Sequence, residues 1–317
     1  MRLLFFGSPD FAVPALRRLH EAGHDIALVV TRPDRPRGRS GRLLPTPVRE
    51  TATELGLSVY QPPDANAPDA LQEFRETGAE LGVVVAYGQI LSPDLLATTE
   101  QGFINVHASL LPAYRGAAPI NWAVMRGETE TGVSIIRVLP KLDAGPVLAQ
   151  TRVEIGSDET AGELAERLAE AGAEAVVDVV DRLDAGEGME ETPQPHRSGF
   201  FARKLTKPDG QVDWSLAAEG LRNRVRGLTP WPGACCRFQG SERETDATLI
   251  EVRVGDETAY RADARPGQVV GTDEEGIAVQ TGCGVAVIAR LKPAGGRAMH
   301  ARDFANGYRV KPGDAFC

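Results

Sequence analysis

The run Leu3-Leu-Phe-Phe6-Gly7-Ser8-Pro9-Asp10-Phe11-Ala-Val13-Pro-Ala-Leu16-Arg-Arg-Leu19 reads as strand, turn and helix. The apolar residues Leu3 to Phe6 end at Gly7, Ser8 and Pro9, which break regular structure. Phe11, Val13, Leu16 and Leu19 then recur at helical spacing. A buried strand feeding a helix opens an α/β fold. Further along, Ile26–Val30 is a second buried strand and Ser58–Tyr60 a short one, with helices over Val48–Leu55 and Leu71–Thr77. Leu81 to Tyr87 is apolar throughout, as expected of a central parallel strand. Phe103–Val106 and Val133–Val138 repeat the pattern. Strands alternating with helices predict a mostly parallel sheet with helices on both faces.

At 317 residues the chain is long enough for two domains. Residues 31–49 read TRPDRPRGRSGRLLPTPVR, and their Pro and Gly predict a long exposed loop. Glu159–Leu183 is helical and Ala-rich, with a solvated acidic face, and residues 184–200 lose periodicity. After about residue 206 come a helix near Ala217–Val225 and strand-like pieces at Ala247–Val254, Gly267–Val270, Gly276–Gln280 and Val285–Leu291. Short strands separated by turns predict a small β-barrel. The expected division is a catalytic domain over 1–190, a linker over 191–206 and a C-terminal domain over 207–317.

The formal charge of −9 argues against a uniformly basic nucleic-acid coat, but it is unevenly spread. Residues 151–191 hold 13 acidic and 3 basic side chains, whereas residues 31–49 hold six Arg and one Asp. The loop bases Arg35, Arg37, Arg39 and Arg42, with Arg203, Lys204 and Lys207, form a candidate phosphate-contacting track. Cys235, Cys236, Cys283 and Cys317 lack metal-ligand spacing, so no metal site is expected, and so few cysteines suggest a reducing cytoplasm. The N-terminus does not read as a signal peptide, and no stretch is long and apolar enough to span a membrane.

The densest polar signal is Gly102-Phe-Ile-Asn105-Val-His107-Ala-Ser109-Leu-Leu-Pro112-Ala-Tyr-Arg115-Gly116. Asn105 and His107, two apart on an extended strand, share a face at its carboxyl end, where open α/β sheets hold their ligands. Asp143, in the turn Lys141-Leu-Asp143-Ala-Gly145-Pro146, could meet the His across neighbouring strand ends. Asn, His and Asp fit acyl or formyl transfer: an amide donates to an oxyanion, a His moves protons and a carboxylate tunes it. Ser109 lacks the G-x-S-x-G frame of a nucleophile, so direct transfer without an acyl-enzyme is expected. Gly7-Ser8-Pro9-Asp10 lacks the G-x-G-x-x-G frame and no phosphate loop is present, which argues against a nicotinamide cofactor.

Along its length the chain resembles the methionyl-tRNA formyltransferase family. The resemblance rests on Phe6-Gly-Ser-Pro-Asp-Phe-Ala12, the basic loop Pro33-Asp-Arg-Pro-Arg-Gly38-Arg39 and the signature Asn105-Val-His107-Ala-Ser-Leu-Leu-Pro112. Tyr114-Arg-Gly-Ala-Ala-Pro119, Leu142-Asp-Ala-Gly145, Phe201-Ala-Arg-Lys-Leu-Thr-Lys207 and Pro230-Trp-Pro-Gly-Ala234 extend it. Ser8 stands where Thr is usual, and Ser40-Gly41-Arg42 where Lys-rich sequence is frequent. The resemblance implies a Rossmann-like domain followed by an OB-like domain. It implies 10-formyltetrahydrofolate as donor, without metal, and initiator methionyl-tRNA as acceptor. By position, Asn105, His107 and Asp143 take the catalytic roles. Ser109, Leu110, Leu111 and Pro112, with Tyr87, Gln89, Ile90 and Leu91, would line the folate site, and Arg39 would reach the acceptor stem. A cytoplasmic monomer with neither membrane nor DNA as partner is expected. Two alternatives stand beside this: a sugar-nucleotide N-formyltransferase, which needs no five-Arg loop, and an RNA-binding protein with an inactive transferase domain.

Overall fold

A computed structural model describes residues 1–37, 42–195, 199–256, 261 and 263–317. The chain forms two units: Met1–Pro119, Glu130–Glu154 and Ala165–Ala202 make the first, and Ile120–Thr129, Ile155–Leu164 and Arg203–Cys317 the second.

The first unit is built on β1 (Arg2–Gly7), β2 (Asp25–Val30), β3 (Val59–Tyr60), β4 (Leu81–Val85), β5 (Phe103–His107), β6 (Glu130–Arg137) and β7 (Val147–Glu154). Their order in the sheet is β7-β6-β5-β4-β1-β2-β3. The pairs from β3 through β5 are parallel, whereas the pairs β5–β6 and β6–β7 are antiparallel. The sheet is therefore mostly parallel, with an antiparallel margin that the apolar run at Val133–Val138 did not reveal. The connection decides it: residues 138–146 form a short turn, too short for a crossover, so β7 returns beside β6. β7, unread in the sequence, is an outer strand with only Leu148 buried. Its backbone bridges Thr192 at Val147, and the Arg167 guanidinium donates to the Glu154 carbonyl at 3.1 Å.

The alternation along β1 sends Leu4 and Phe6 to one face and Leu3 and Phe5 to the other, all fully buried. On the Phe6 face, Phe74, Tyr87 and Phe103 surround that ring edge-on at 5.2, 5.2 and 5.6 Å. Such edge-to-face pairs add about 0.5–1.5 kcal/mol each beyond their area. This cluster packs over β1, β4 and β5, with β4 between the other two, and so helps to set where the strand ends emerge.

Among the described residues of 31–49, two short strands stand where Pro and Gly content suggests an irregular loop. Arg35–Arg37 and Arg42–Leu44 pair antiparallel, Arg35 opposite Leu44 and Arg37 opposite Arg42. A two-stranded ribbon consists only of edges, so Pro36, which has no N–H to give, is tolerated there. The base of the hairpin is anchored. The Ser8 hydroxyl accepts from Arg32 N (3.1 Å), Thr31 and Thr46 hydroxyls meet at 2.7 Å, and Arg49 pairs with Asp34. Thr46 also caps the helix Pro47–Glu54 by accepting from Arg49 N.

The second unit contains an antiparallel sheet of β8 (Ala234–Gln239), β9 (Glu244–Val254), β10 (Val269–Thr272), β11 (Ile277–Gln280), β12 (Val285–Pro293) and β13 (Ala315–Phe316). Its order is β10-β11-β12-β9-β8-β13. A bridge between Gln268 and Ala315 brings the two ends together and nearly closes a barrel. β8 alternates buried and exposed residues at every position, as a half-buried strand should. Phe238 packs on Phe316 at 5.1 Å and on Phe304 at 5.4 Å in its core.

Candidate active site

The site assembles where β5 ends. Asn105 lies opposite Val84 of β4 and Ile136 of β6, and His107 opposite Ser134 of β6. Strand alternation puts both side chains on one face. His107 is buried (5% exposed) and its Nε2 lies 3.0 Å from the carbonyl of Tyr114. A carbonyl only accepts, so Nε2 carries the proton in this contact. Nδ1 is left facing Asp143 Oδ1 at 3.6 Å, close enough for charge attraction but beyond a hydrogen bond. Among the described residues the Asn105 amide has no hydrogen-bond partner in the protein.

Asp143 is set by backbone geometry. It adopts a left-handed conformation (φ 48°), uncommon for a residue with a side chain. Its Oδ2 accepts from Gly116 N at 2.8 Å. Two residues on, Gly145 lies so close to β6 that a Cβ would sit 1.8 Å from the Arg137 carbonyl oxygen. Glycine is required there if the turn is to hold the carboxylate against the His.

The segment after His107 is held by residues the sequence reading passed over. Ser134 Oγ donates to Ser109 O (2.7 Å) and accepts from Leu111 N (3.0 Å) and from Gln150 Nε2 (2.8 Å). Gln150 Nε2 also donates to Leu111 O at 2.9 Å. A fully buried serine inside the apolar run Val133–Val138 was the available signal, since a buried hydroxyl must find partners.

The residues expected at a folate are placed unevenly. Ser109 is fully buried and spends its hydroxyl on Ala113 O at 2.6 Å; Leu111 is buried, and Leu110 and Pro112 are half-buried. Tyr87 and Leu91 point into the core. Burial without a hydrogen-bond partner pushes the Tyr87 phenol up to about 12. Gln89 Oε1 accepts from Ala65 N (3.0 Å) and its Nε2 donates to Pro63 O (3.1 Å), which leaves Gly88 and the 75%-exposed Ile90 as this segment's outward groups.

Of the expected phosphate-contacting bases, Arg35 is exposed on its hairpin strand, and Arg37 and Arg42 pair through their backbones. Arg39 lies outside the described residues. In the second unit Lys204 and Lys207 are exposed. Arg203 grips both carboxylate oxygens of Asp209 and lies 5.3 Å over the Trp122 ring. That guanidinium, with the Thr206 hydroxyl and N–H, holds the Asp209 carboxyl well below the usual carboxylate range. Arg226 is consumed inside the unit, donating to Asn223 Oδ1 and to the carbonyls of Gly156 and Glu159.

Asn105 and a His–Asp pair thus lie at the end of a mostly parallel sheet, which a barrel-like unit follows in the chain. The family described as formyl transferase matches residues 1–180, and its C-terminal domain matches 204–309. A methionyl-tRNA formyltransferase of Heliobacterium modesticaldum is 44% identical over the whole of both chains. One from Geobacter metallireducens is 42% identical over 99% of this chain and 97% of its own. The chain belongs to the methionyl-tRNA formyltransferase family. The fold is shared with HypX of Aquifex aeolicus solved with tetrahydrofolic acid (TM-score 0.61, 18% identity), over 97% of this chain and 47% of that one. An N-formyltransferase of Helicobacter canadensis, solved with folinic acid and dTDP-3-aminofucose, shares it over 90% of this chain and 97% of its own (TM-score 0.64, 16% identity). No helix among the described residues is long and apolar enough to cross a membrane.

Proposed function

We propose that this chain transfers the formyl group of 10-formyltetrahydrofolate to the α-amine of initiator methionyl-tRNA. The observation that carries the reading is the Asn105, His107 and Asp143 arrangement in a chain 44% identical, end to end, to a methionyl-tRNA formyltransferase.

A free α-amine titrates at about 7.7–8. Esterification to tRNA withdraws electrons and lowers that value, so the attacking amine is neutral at physiological pH. Its lone pair attacks the formyl carbon and negative charge develops on the formyl oxygen. Asn105, whose amide is uncommitted, donates to that oxygen. Because Nε2 of His107 is tied to Tyr114, Nδ1 is the ring nitrogen available for the reaction. Protonated, Nδ1 stabilises the developing charge and Asp143 balances the imidazolium; the carboxylate then relays the amine's proton toward the departing N10.

For the donor, the exposed Gly88 and Ile90, together with the segment Ser109–Pro112, form the binding surface. Tyr87, Gln89 and Leu91 shape it from behind rather than touching the ligand, because their side chains are used internally. For the acceptor, Arg35, Arg37, Arg39, Arg42, Lys204, Lys207 and Arg203 meet tRNA phosphates. The working division is a catalytic domain over 1–190, a linker over 191–206 and a tRNA-binding domain over 207–317, in a cytoplasmic monomer.

The test supplies 10-formyltetrahydrofolate with charged initiator methionyl-tRNA, and separately with an amino-sugar nucleotide. Formylation of the tRNA that weakens as salt rises supports the reading. Formylation of the sugar alone overturns the acceptor assignment, and transfer to neither overturns the activity.

A further inference from the structure

We infer that Gln194 is a positioning residue for the transfer reaction, holding the Asp143 turn in register with the segment that orients His107. The inference rests on the catalytic reading above and extends it to a residue outside the signature motif.

Of the segment expected as a linker, the described residues Glu191–Pro195 and Gly199–Ala202 belong to the first unit. Glu191 pairs with Arg137 Nε at 2.9 Å, and Thr192 exchanges backbone hydrogen bonds with Val147 at 2.8 and 2.9 Å. These ties lay the strap along the start of β7 and bring Gln194 against the Asp143 turn. Gln194 Nε2 donates to the carbonyls of Asp143 (3.0 Å) and Gly145 (2.7 Å). Its Oε1 accepts from Nε and Nη2 of Arg115, at 3.0 and 2.6 Å. A primary amide has two N–H groups and two lone pairs, and here all four are engaged.

Arg115 is flanked by the two groups that set the His–Asp geometry. Tyr114 supplies the carbonyl that fixes His107 Nε2, and Gly116 supplies the N–H that binds Asp143 Oδ2. A closed ring of hydrogen bonds thus runs from Gln194 to Asp143, to Gly116 and Arg115, and back to Gln194. Asp143 is also the residue held in the left-handed region, and such a conformation persists only where its surroundings over-determine it. Remove the Gln194 amide and the Asp143 and Gly145 carbonyls each lose a donor. The turn then relaxes and the carboxylate moves off Nδ1.

Steady-state formylation by wild-type protein, Gln194→Ala and Gln194→Glu tests this. Gln194→Glu keeps an acceptor for Arg115 but has no N–H for the two carbonyls, so it separates the two halves of the interaction. Both variants should lose about 10- to 100-fold in kcat, the scale of a misplaced catalytic group. KM for donor and acceptor should stay within about twofold, since binding contacts are untouched. The pH profile of kcat should also change shape, because the carboxylate facing His107 Nδ1 has moved. Thermal melts confirm that the variants are folded.

Wild-type kcat in folded Gln194→Glu overturns the inference. So does a rise in KM at unchanged kcat, or a rate loss that only tracks the unfolded fraction. If wild-type protein formylates only an acceptor other than tRNA, the acceptor assignment fails and the same variants are judged with that acceptor.

Discussion

Replacing Ser134 with alanine removes one oxygen from beneath the segment that follows His107, and the cost can be worked from its partners. The hydroxyl donates to Ser109 O and accepts from Leu111 N and Gln150 Nε2. Gln150 keeps Leu111 O at 2.9 Å and loses little. Leu111 N and Ser109 O keep each other, at a longer 3.2 Å, so neither is wholly orphaned. An orphaned buried group costs about 1–3 kcal/mol, and two groups at the low end of that range give about 2–3 kcal/mol. For a unit of this size 1 kcal/mol moves Tm by about 2–4 °C, so the unfolding transition of the first unit should fall by about 4–12 °C. Calorimetry measures the shift, and amide exchange at Leu111 reports the local loosening directly. A transition within about 1 °C of wild type, with Leu111 still protected, would refute the claim that this hydroxyl holds the segment.

Three further outcomes follow from the geometry. Asn105→Ala and His107→Ala should each lose about 10²–10³ in kcat with the fold intact by circular dichroism; near-normal turnover in either variant removes that residue from the chemistry. Gly145→Ala places a methyl 1.8 Å from the Arg137 carbonyl oxygen, so the Asp143 turn must shift; kcat should drop by about tenfold or more, and an unchanged kcat would show that the turn tolerates displacement. His24 is buried, which, with the N-terminal charge, lowers its pKa in the folded protein. The unfolded chain therefore takes up the proton first as pH falls below about 6.5, and stability is lost on the acid side. Melting temperatures at pH 7.5 and 5.5 should differ less in His24→Gln than in wild type, and an equal or larger difference excludes His24 as a source of the acid sensitivity.

Local pattern carried much of this molecule. The apolar run ending at Gly7 and the helical series after it identified the opening strand and helix. Asn105 and His107 were legible because strand alternation and strand-end position are both local properties. Asp143 was legible as a turn carboxylate that could meet His107 across neighbouring strand ends, but the ring nitrogen that it faces was not, because that depends on β6 pairing antiparallel with β5. Gln194 was hidden for the same reason at longer range: it lies 79 residues from Arg115, in a stretch without periodicity. Ser134 was masked by the apolar residues around it. The pairing of Arg35–Arg37 with Arg42–Leu44 is not legible from a Pro-rich pattern, although a ribbon with no interior strand accommodates Pro36.

The rims of the catalytic sheet bear on how the protein behaves when crowded. Unpaired strand edges recruit other chains and seed aggregates. One rim here, β3, is only two residues long. The other, β7, is held at its start by Thr192, met at its far end by the Arg167 guanidinium, and carries exposed Gln150, Arg152 and Glu154 between and beside them. The strap that carries Gln194 thus also blunts the sheet's longer rim. Detaching it should expose that rim to added strands, so that a lesion here would appear as lost turnover and lost solubility together.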